Sequence, residues 1–369
     1  MIKKRPTQSL NFKPKLGFLK HMRMLLVCLL LGACGSDSEE ALFAEITVEF
    51  GDIGLDGLIS NRVLVTSDGV VVATDKGAYK SIDRGISWEL MTPEDWYVLD
   101  IIEIDTLHLM ISAQLKGSNF LSESFDGGKT WIQLRANFGA ENSNHAEQVN
   151  RMDWDELTQT LFATGIEVLA RSNDRGLIWE VVSGGWNSFG SGMRSVSYST
   201  NQNVAFYGGQ GAIENPLLKR VDLSNNSESF IDLTDLLPMP STIEEIQFDE
   251  NDDNTLFVSG EGGLITSSDL GETWTPLLLD DDSRFFFDFV KDKRFNDHFY
   301  TAGWNKVFDE PQPLILEISQ DNGNSWQQFT HPSQTLFGGV RTMDILYEGD
   351  EAILFLGLYK GGVIKVLLR

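Results

Sequence analysis

An eight-residue phrase, Ser-x-Asp-x-Gly-x-Thr-Trp, recurs five times in this 369-residue chain. Its copies are built on Ser81, Asp83, Gly85 and Trp88; on Ser124, Asp126, Gly128 and Trp131; on Ser172, Asp174, Gly176 and Trp179; on Ser267, Asp269, Gly271 and Trp274; and on Ser319, Asp321, Gly323 and Trp326. Five regularly spaced carboxylates could hold metal ions or exchange protons. Their company argues for a different role. Ser and Asp side chains hydrogen-bond the amides of a turn and fix it. Gly supplies a positive φ that other residues resist. Trp buries a large area and seeks an acceptor for its indole N–H. The phrase is therefore expected to be structural.

Other chemistry is thinly spread. Arg62, Arg151, Arg194, Arg284 and Arg341 each stand near the start of a strand-like run. Clustered, they could bind a carboxylate or an acidic peptide in bidentate fashion. Alternatively each pairs with a neighbouring acid such as Asp100, Asp153 or Glu245. Trp96, Trp186 and Trp304 lie outside the phrases, as do Tyr97, Phe138 and Phe189. They could stack on a sugar or a peptide, or simply cap a core. His145, Lys116, Lys306 and Lys360 fall in similar loops. The acidic stretches at 249–254 and 280–282 invite a calcium reading, but the first lacks the Gly and terminal Glu of a calcium loop. Solvated acidic turns are expected there. No His/Cys spacing suits zinc, and no Gly-rich loop precedes a helix to cradle phosphate. No metal, cofactor or catalytic group is nominated.

The elements that position these residues follow from the phrase itself. Its Trp residues are separated by 43, 48, 95 and 52 positions. The long gap is a double one, so one unit has lost the phrase, and Phe230 is expected where its Trp would be. Within each unit, alternating β-branched and apolar runs are bounded by Gly, Asn and Asp, which favours strands over helices. Four antiparallel strands at a period of roughly 40–45 residues are the arithmetic of a β-propeller. Six units run near 62–91, 98–134, 149–182, 193–233, 243–278 and 285–329. A seventh begins at Arg341 and ends one strand short. The orphan strand at 43–50 is expected to complete it, removing an exposed sheet edge. The fold class is thus all-β: a seven-bladed β-propeller of four-stranded antiparallel blades, the last closed by an N-terminal strand, over residues 43–369.

Each phrase resembles the Asp-box, or BNR repeat, found in sialidases, sortilin-type receptors, xyloglucanase-type hydrolases and photosystem II stability and assembly factors. Ser87 and Ile178 depart from the Thr of the pattern. The resemblance implies that the box is structural and lies away from the ligand face. A sialidase would also carry an Arg-Ile-Pro motif, whereas this chain has Asn61-Arg62-Val63-Leu64. A xyloglucanase would need two propellers facing a cleft. The single seven-bladed propeller with an arginine patch is most similar to the assembly-factor branch, in which the arginine-rich face contacts a client protein.

The N-terminus has the form of a targeting segment. Residues 1–33 carry seven basic and no acidic residues. The apolar run at 24–31 is too short to span a bilayer, which takes roughly 20 residues. It reads as the core of a signal peptide, with Met22 or Met24 as an alternative start. Leu31-Gly32-Ala33-Cys34 resembles a bacterial lipobox, which implies a signal peptide over 1–33, lipidation of Cys34 and a flexible tether over 34–42. Gly35 after the cysteine implies the outer membrane. Cys28 is the only other cysteine, so the mature domain has no disulfide.

The net charge is −25 overall and −32 once residues 1–33 are set aside. So acidic a surface repels nucleic acid. The expected function is a non-enzymatic, lipid-anchored scaffold of the cell envelope. It would bind a protein client through the face opposite the phrases, with membrane contact through the lipid. The alternative is a glycan-binding or sialidase-like propeller acting on a polysaccharide.

Overall fold

The computed structural model describes residues 46–139, 146–186, 190, 192–282, 284–349 and 351–369. Seven four-stranded antiparallel sheets follow one another along the chain. They span residues 60–90, 97–133, 151–185, 192–230, 243–279, 289–330 and 340–368, and are numbered here as blades 1 to 7. Nearly all other described residues lie in turns, with one short 3-10 segment at Ala212–Glu214. The first strand of each blade is innermost, and first strands of successive blades touch around a central channel. Between blades the side chains are fully buried: Leu354, Leu356 and Ile364 between blades 6 and 7, for example, and Phe206, Ile246 and Val258 between blades 4 and 5.

Blade 7 takes its fourth strand from the other end of the chain. Val48–Gly54 pairs antiparallel with Val363–Leu368, matching Val48 to Leu368 and Gly54 to Val363. Thr47 and Arg369 exchange both backbone hydrogen bonds, at 2.7 and 3.0 Å. The closing strand expected at 43–50 therefore exists but sits later, and residues 43–45 lie outside the described set. Ile46, Val48 and Phe50 face the blade 7 core as the alternation implied. Gly51–Gly54 continue the pairing through backbone bonds alone, across a bulge, which no apolar pattern signals.

All five phrases join third to fourth strands and form the same turn. In the second copy, Ser124 Oγ donates to Asp126 Oδ1 at 2.8 Å and accepts from Gly128 N–H at 2.8 Å. Asp126 then accepts from Thr130 N–H at 2.8 Å and Thr130 Oγ1 at 2.7 Å. Hydrogen bonds from Thr130 hold the Asp126 carboxyl down at about 2, and those from Ser87 do the same for Asp83. These carboxylates are ionised and saturated with donors. In the third copy Ile178 keeps the amide contact and loses the hydroxyl one. The residue before the phrase Gly is also left-handed, at Arg84, Arg175, Leu270 and Asn322. Each costs about 1–2 kcal/mol of backbone strain, which the turn's hydrogen bonds offset.

Two expectations about the aromatic position need correction. Trp131 and Trp326 donate their indole N–H to Met91 O and Leu277 O of the preceding blade, both at 2.9 Å. Trp274 reaches only its own turn, and the indole N–H of Trp88 and Trp179 has no acceptor among the described residues. Phe230 does not replace a Trp. It ends the fourth strand of blade 4, Ser227–Phe230, and is 60% exposed. Only four residues separate that strand from Pro216–Asp222, too few to form the phrase turn and seat an aromatic ring beneath it.

First-to-second and third-to-fourth turns lie on one face, the phrase face, together with the paired chain ends. Second-to-third loops and the crossings between blades lie on the other. Trp131→Ala should destabilise the protein by about 2–3 kcal/mol, less than a fully buried Trp because the ring is only partly buried. Phe230→Ala should change stability by less than about 0.5 kcal/mol. Urea midpoints of the two variants check this, and equal losses would contradict the assignment.

Candidate functional site

The innermost strand of each blade has one edge with no sheet partner, and it faces the channel. Its amides need acceptors, because a buried unpaired N–H costs about 1–3 kcal/mol. Side chains from the preceding blade's innermost strand supply them. Asp100 accepts from Met152 N–H at 2.6 Å, Asp288 from Met343 N–H at 2.8 Å, and Asp344 from Val65 N–H at 2.7 Å. Thr342 serves Val63 at 3.0 Å and Ser195 serves Ile246 at 2.9 Å. The channel therefore fills with carboxylates for reasons of folding.

Arginines answer that charge in the throat. Arg151 lies 3.5 Å from Asp100 and 2.8 Å from Glu245, and Arg62 lies 4.0 and 3.7 Å from the same two acids. Arg62 and Arg151 are thus neutralised, as the pairing alternative anticipated, with Asp100 and Glu245 as partners. Asp153 forms no salt bridge among the described residues, although the Arg62 charge opposes the effect of its burial. Burial pushes Asp153 and Asp288 up to about 7, with the charge of Glu245 adding to it in both. Burial also raises Glu244 and Asp344. A carboxyl near 7 is a general acid's protonation state. The cavity beside Asp288, about 170 Å³, is lined by Arg62, Glu245, Asp249, Lys291 and Asp344.

Above the throat, on the face opposite the phrases, the channel opens into a mouth of about 210 Å³. Arg194 and Arg341 line it with Asn61, Tyr97, Asn150 and Glu244. Arg194 Nε is 3.6 Å from Glu244, and its side chain is 37% exposed. Arg341 donates to Asn61 Oδ1 at 3.1 Å and lies 5.7 Å over the Phe287 ring. It is in no salt bridge among the described residues. Burial lowers its guanidinium from the ordinary value, against the opposing effects of Tyr97 and Glu244, while the neighbouring Arg194 charge adds to the lowering. Two guanidiniums, Arg194 and Arg341, thus share the single carboxyl of Glu244.

The remaining candidates fall elsewhere. Arg284 leaves the axis and binds Asp280 and Glu317 in blades 5 and 6. Trp186 is buried against Phe138 and Trp179, and Trp304 against Phe285, Phe287 and Tyr359. Both cap cores. Trp96 is half-buried edge-on to Phe120 and borders a shallow hollow. Lys306 pairs with Glu261 and Lys360 with Asp309. In the acidic stretch at 249–254, Asp249 pairs with Lys291 and Asp252 accepts from Thr255. Among the described residues no three His, Cys, Asp or Glu are grouped to hold a metal ion. Cys34, His145 and Phe189 lie outside the described residues. Sequence reasoning missed Asn61, Glu244 and Phe287. Their one signal was adjacency to residues such as Arg62 and Glu245 at the starts of innermost strands.

No family model and no curated protein matches the chain. Solved structures do match. YCF48 bound to D1 peptide aligns with a TM-score of 0.60 at 14% identity, over 88% of this chain and 97% of that one. A chain of the mitotic checkpoint complex aligns with 0.64 at 13% identity, over 94% and 99%. The GH74 enzyme of Niastella koreensis aligns with 0.61 at 16% identity, over 83% of this chain and 53% of that one. The chain therefore spans about half of the latter. At such identities the likeness is one of fold.

The raised carboxyls make stability depend on pH with a definite sign. Asp153 and Asp288 hold protons up to about 7 when folded, against an ordinary 3.8. Between those values the native state binds more protons than the unfolded one, so stability falls as pH rises, then levels off. Asp153→Asn should flatten this slope. Urea midpoints from pH 4 to 8 measure it, and an unchanged slope would rule out Asp153 as a contributor.

Proposed function

We propose that this chain is a non-enzymatic, lipid-anchored Asp-box propeller that binds a protein client of the cell envelope at its channel mouth. Arg341 carries the argument. It is a buried-edge guanidinium that forms no salt bridge among the described residues and shares the charge of Glu244 with Arg194, in a protein with a large excess of acid. Arg194 beside it is only loosely held by Glu244. A client carboxylate would complete both, as a planar acceptor for two forks of donors. The same-fold structure of YCF48 bound to D1 peptide supports a peptide as the kind of ligand. The polysaccharide alternative has less support, because Trp186 and Trp304 are buried in cores.

The anchor reading rests on Leu31-Gly32-Ala33-Cys34 and the polar stretch after it. A tether from Cys34 would join the fold at Thr47, on the phrase face beside Arg369. Gly35 after the cysteine supports the outer membrane as the destination of the lipid.

Combined Arg194→Gln and Arg341→Gln should lower recovery of the client from solubilised envelope extract at least about tenfold, or 1.4 kcal/mol. The thermal midpoint should hold, since neither side chain has a tight ion pair to lose. Equal recovery of the same protein by both forms would remove the mouth from the binding site. Cys34→Ser should abolish incorporation of labelled palmitate and move the protein to the soluble fraction. Persistent labelling would sink the lipoprotein reading.

A further inference from the structure

A second surface on the mouth face has features that the channel does not explain. Between blades 3, 4 and 5 lies a groove of about 730 Å³, and none of the mouth arginines lines it. Its walls are the loop after Val204–Gln210 and the crossing from blade 4 to blade 5. Phe230 and Met239 line it, 60% and 84% exposed. Ile213, at the tip of the first loop, is 87% exposed.

The backbone holds these side chains outward at a cost. Ile213, Glu214 and Met239 have φ of 61°, 53° and 45°. A left-handed conformation costs an L-residue about 1–2 kcal/mol, and a β-branched one suffers most. The Ile213 tip is nonetheless pinned, by Gly211 N–H to Asn215 O at 2.8 Å and Asn215 Nδ2 to Ala212 O at 3.2 Å. Large apolar groups held at the surface beside a groove mark an interaction site more often than a solvated loop.

Charge defines the occupant. Glu167 and Asp232 are the charged residues of the groove wall, and neither forms a salt bridge among the described residues. Thr234 donates twice to the Asp232 carboxylate, which keeps it ionised. Anionic lipid and acidic segments are repelled, and Lys or Arg beside apolar side chains is favoured. Shape selects a polypeptide over a small amphiphile. A small molecule could fill the hollow against Phe230 and Met239 but would leave the projecting Ile213 tip wet, whereas a protein surface covers all three.

We infer that this groove is a docking site for a basic, apolar segment of a partner protein, gripped by Ile213, Phe230 and Met239 and neutralising Glu167 and Asp232. It shares a face with the channel mouth but uses none of its residues.

The test uses the full chain and three fluorescent peptides: one of Leu, Lys and Ser, one with Ser replacing Leu, and one with Glu replacing Lys. The Leu/Lys peptide should bind, and the other two should bind at least about tenfold more weakly. Ile213→Asn with Met239→Asn should weaken the Leu/Lys peptide by a similar factor. Asn tolerates left-handed backbone, so this variant should keep its thermal midpoint, and Phe230→Ser should reproduce the loss. Arg341→Gln should leave the affinity unchanged, which separates this site from the mouth. The proposal is overturned if the wild type does not bind, if the Ser/Lys peptide binds as tightly, if the groove variants bind normally, or if Arg341→Gln abolishes binding.

Discussion

A ring of sheets leaves one edge of every innermost strand without a strand to pair with. That single constraint governs the middle of this molecule. The edges cannot be left bare, because the channel is too narrow to solvate each amide freely. They cannot be paired by strands, because neighbouring innermost strands are splayed. Short side chains therefore reach across the gap: Asp100, Asp288 and Asp344, with Thr342 and Ser195. Three of those five acceptors are acids, so anchoring the backbone concentrates carboxyl groups on the axis, where burial raises Asp288 and Asp344. Arg62 and Arg151 then become necessary, and each spans Asp100 and Glu245 to hold the throat together. Breaking one such pair would leave a buried charge uncompensated, which is far costlier than never having made it.

The outer half of each blade meets a different need. Third and fourth strands must be joined tightly, and blades must be fastened to one another near the rim. The phrase does both. Its Ser, Asp and Gly lock a turn, and its Trp reaches back to the preceding blade where an acceptor is available, as at Met91 and Leu277. Blade 4 dispenses with the device because its short turn needs no lock. Blade 7 cannot have it, since the chain ends meet where the phrase would be. The seven-fold count and the position of the break are thus two readings of one feature.

This explains what the sequence disclosed and what it withheld. Blade number, strand order and N-terminal closure were legible because they follow from periodic local patterns. The phrase was legible as structural because its residue types state their bonds. The arginines were not separable by sequence. Arg62, Arg151 and Arg284 stand in equivalent places along their units. Yet the first two share an acid 94 positions from Arg151, while Arg284 turns off the axis to Glu317. Trp186 and Trp304 likewise look like loop residues until the aromatic clusters around them are seen. Phe230 was misplaced because the spacing of Trp residues does not reveal that blade 4 joins its third and fourth strands through only four residues. Partner choice depends on which side chains the ring brings together, and no local window contains that.

Where the constraint stops is also informative. Every carboxylate that caps an edge amide lies at or below the throat, so folding accounts for the charges there. At the mouth it does not. Arg341 caps no edge, closes no blade and forms no salt bridge among the described residues; its contacts include Asn61, Tyr97 and the face of Phe287, and the nearby Glu244 charge is shared with Arg194. Burying a guanidinium without a close ion pair works against stability. In a chain carrying 54 acidic residues, one more near Arg341 would have removed that penalty. A group that folding does not require, kept at some cost and open to the solvent on one face, is better explained by what it meets than by what it supports.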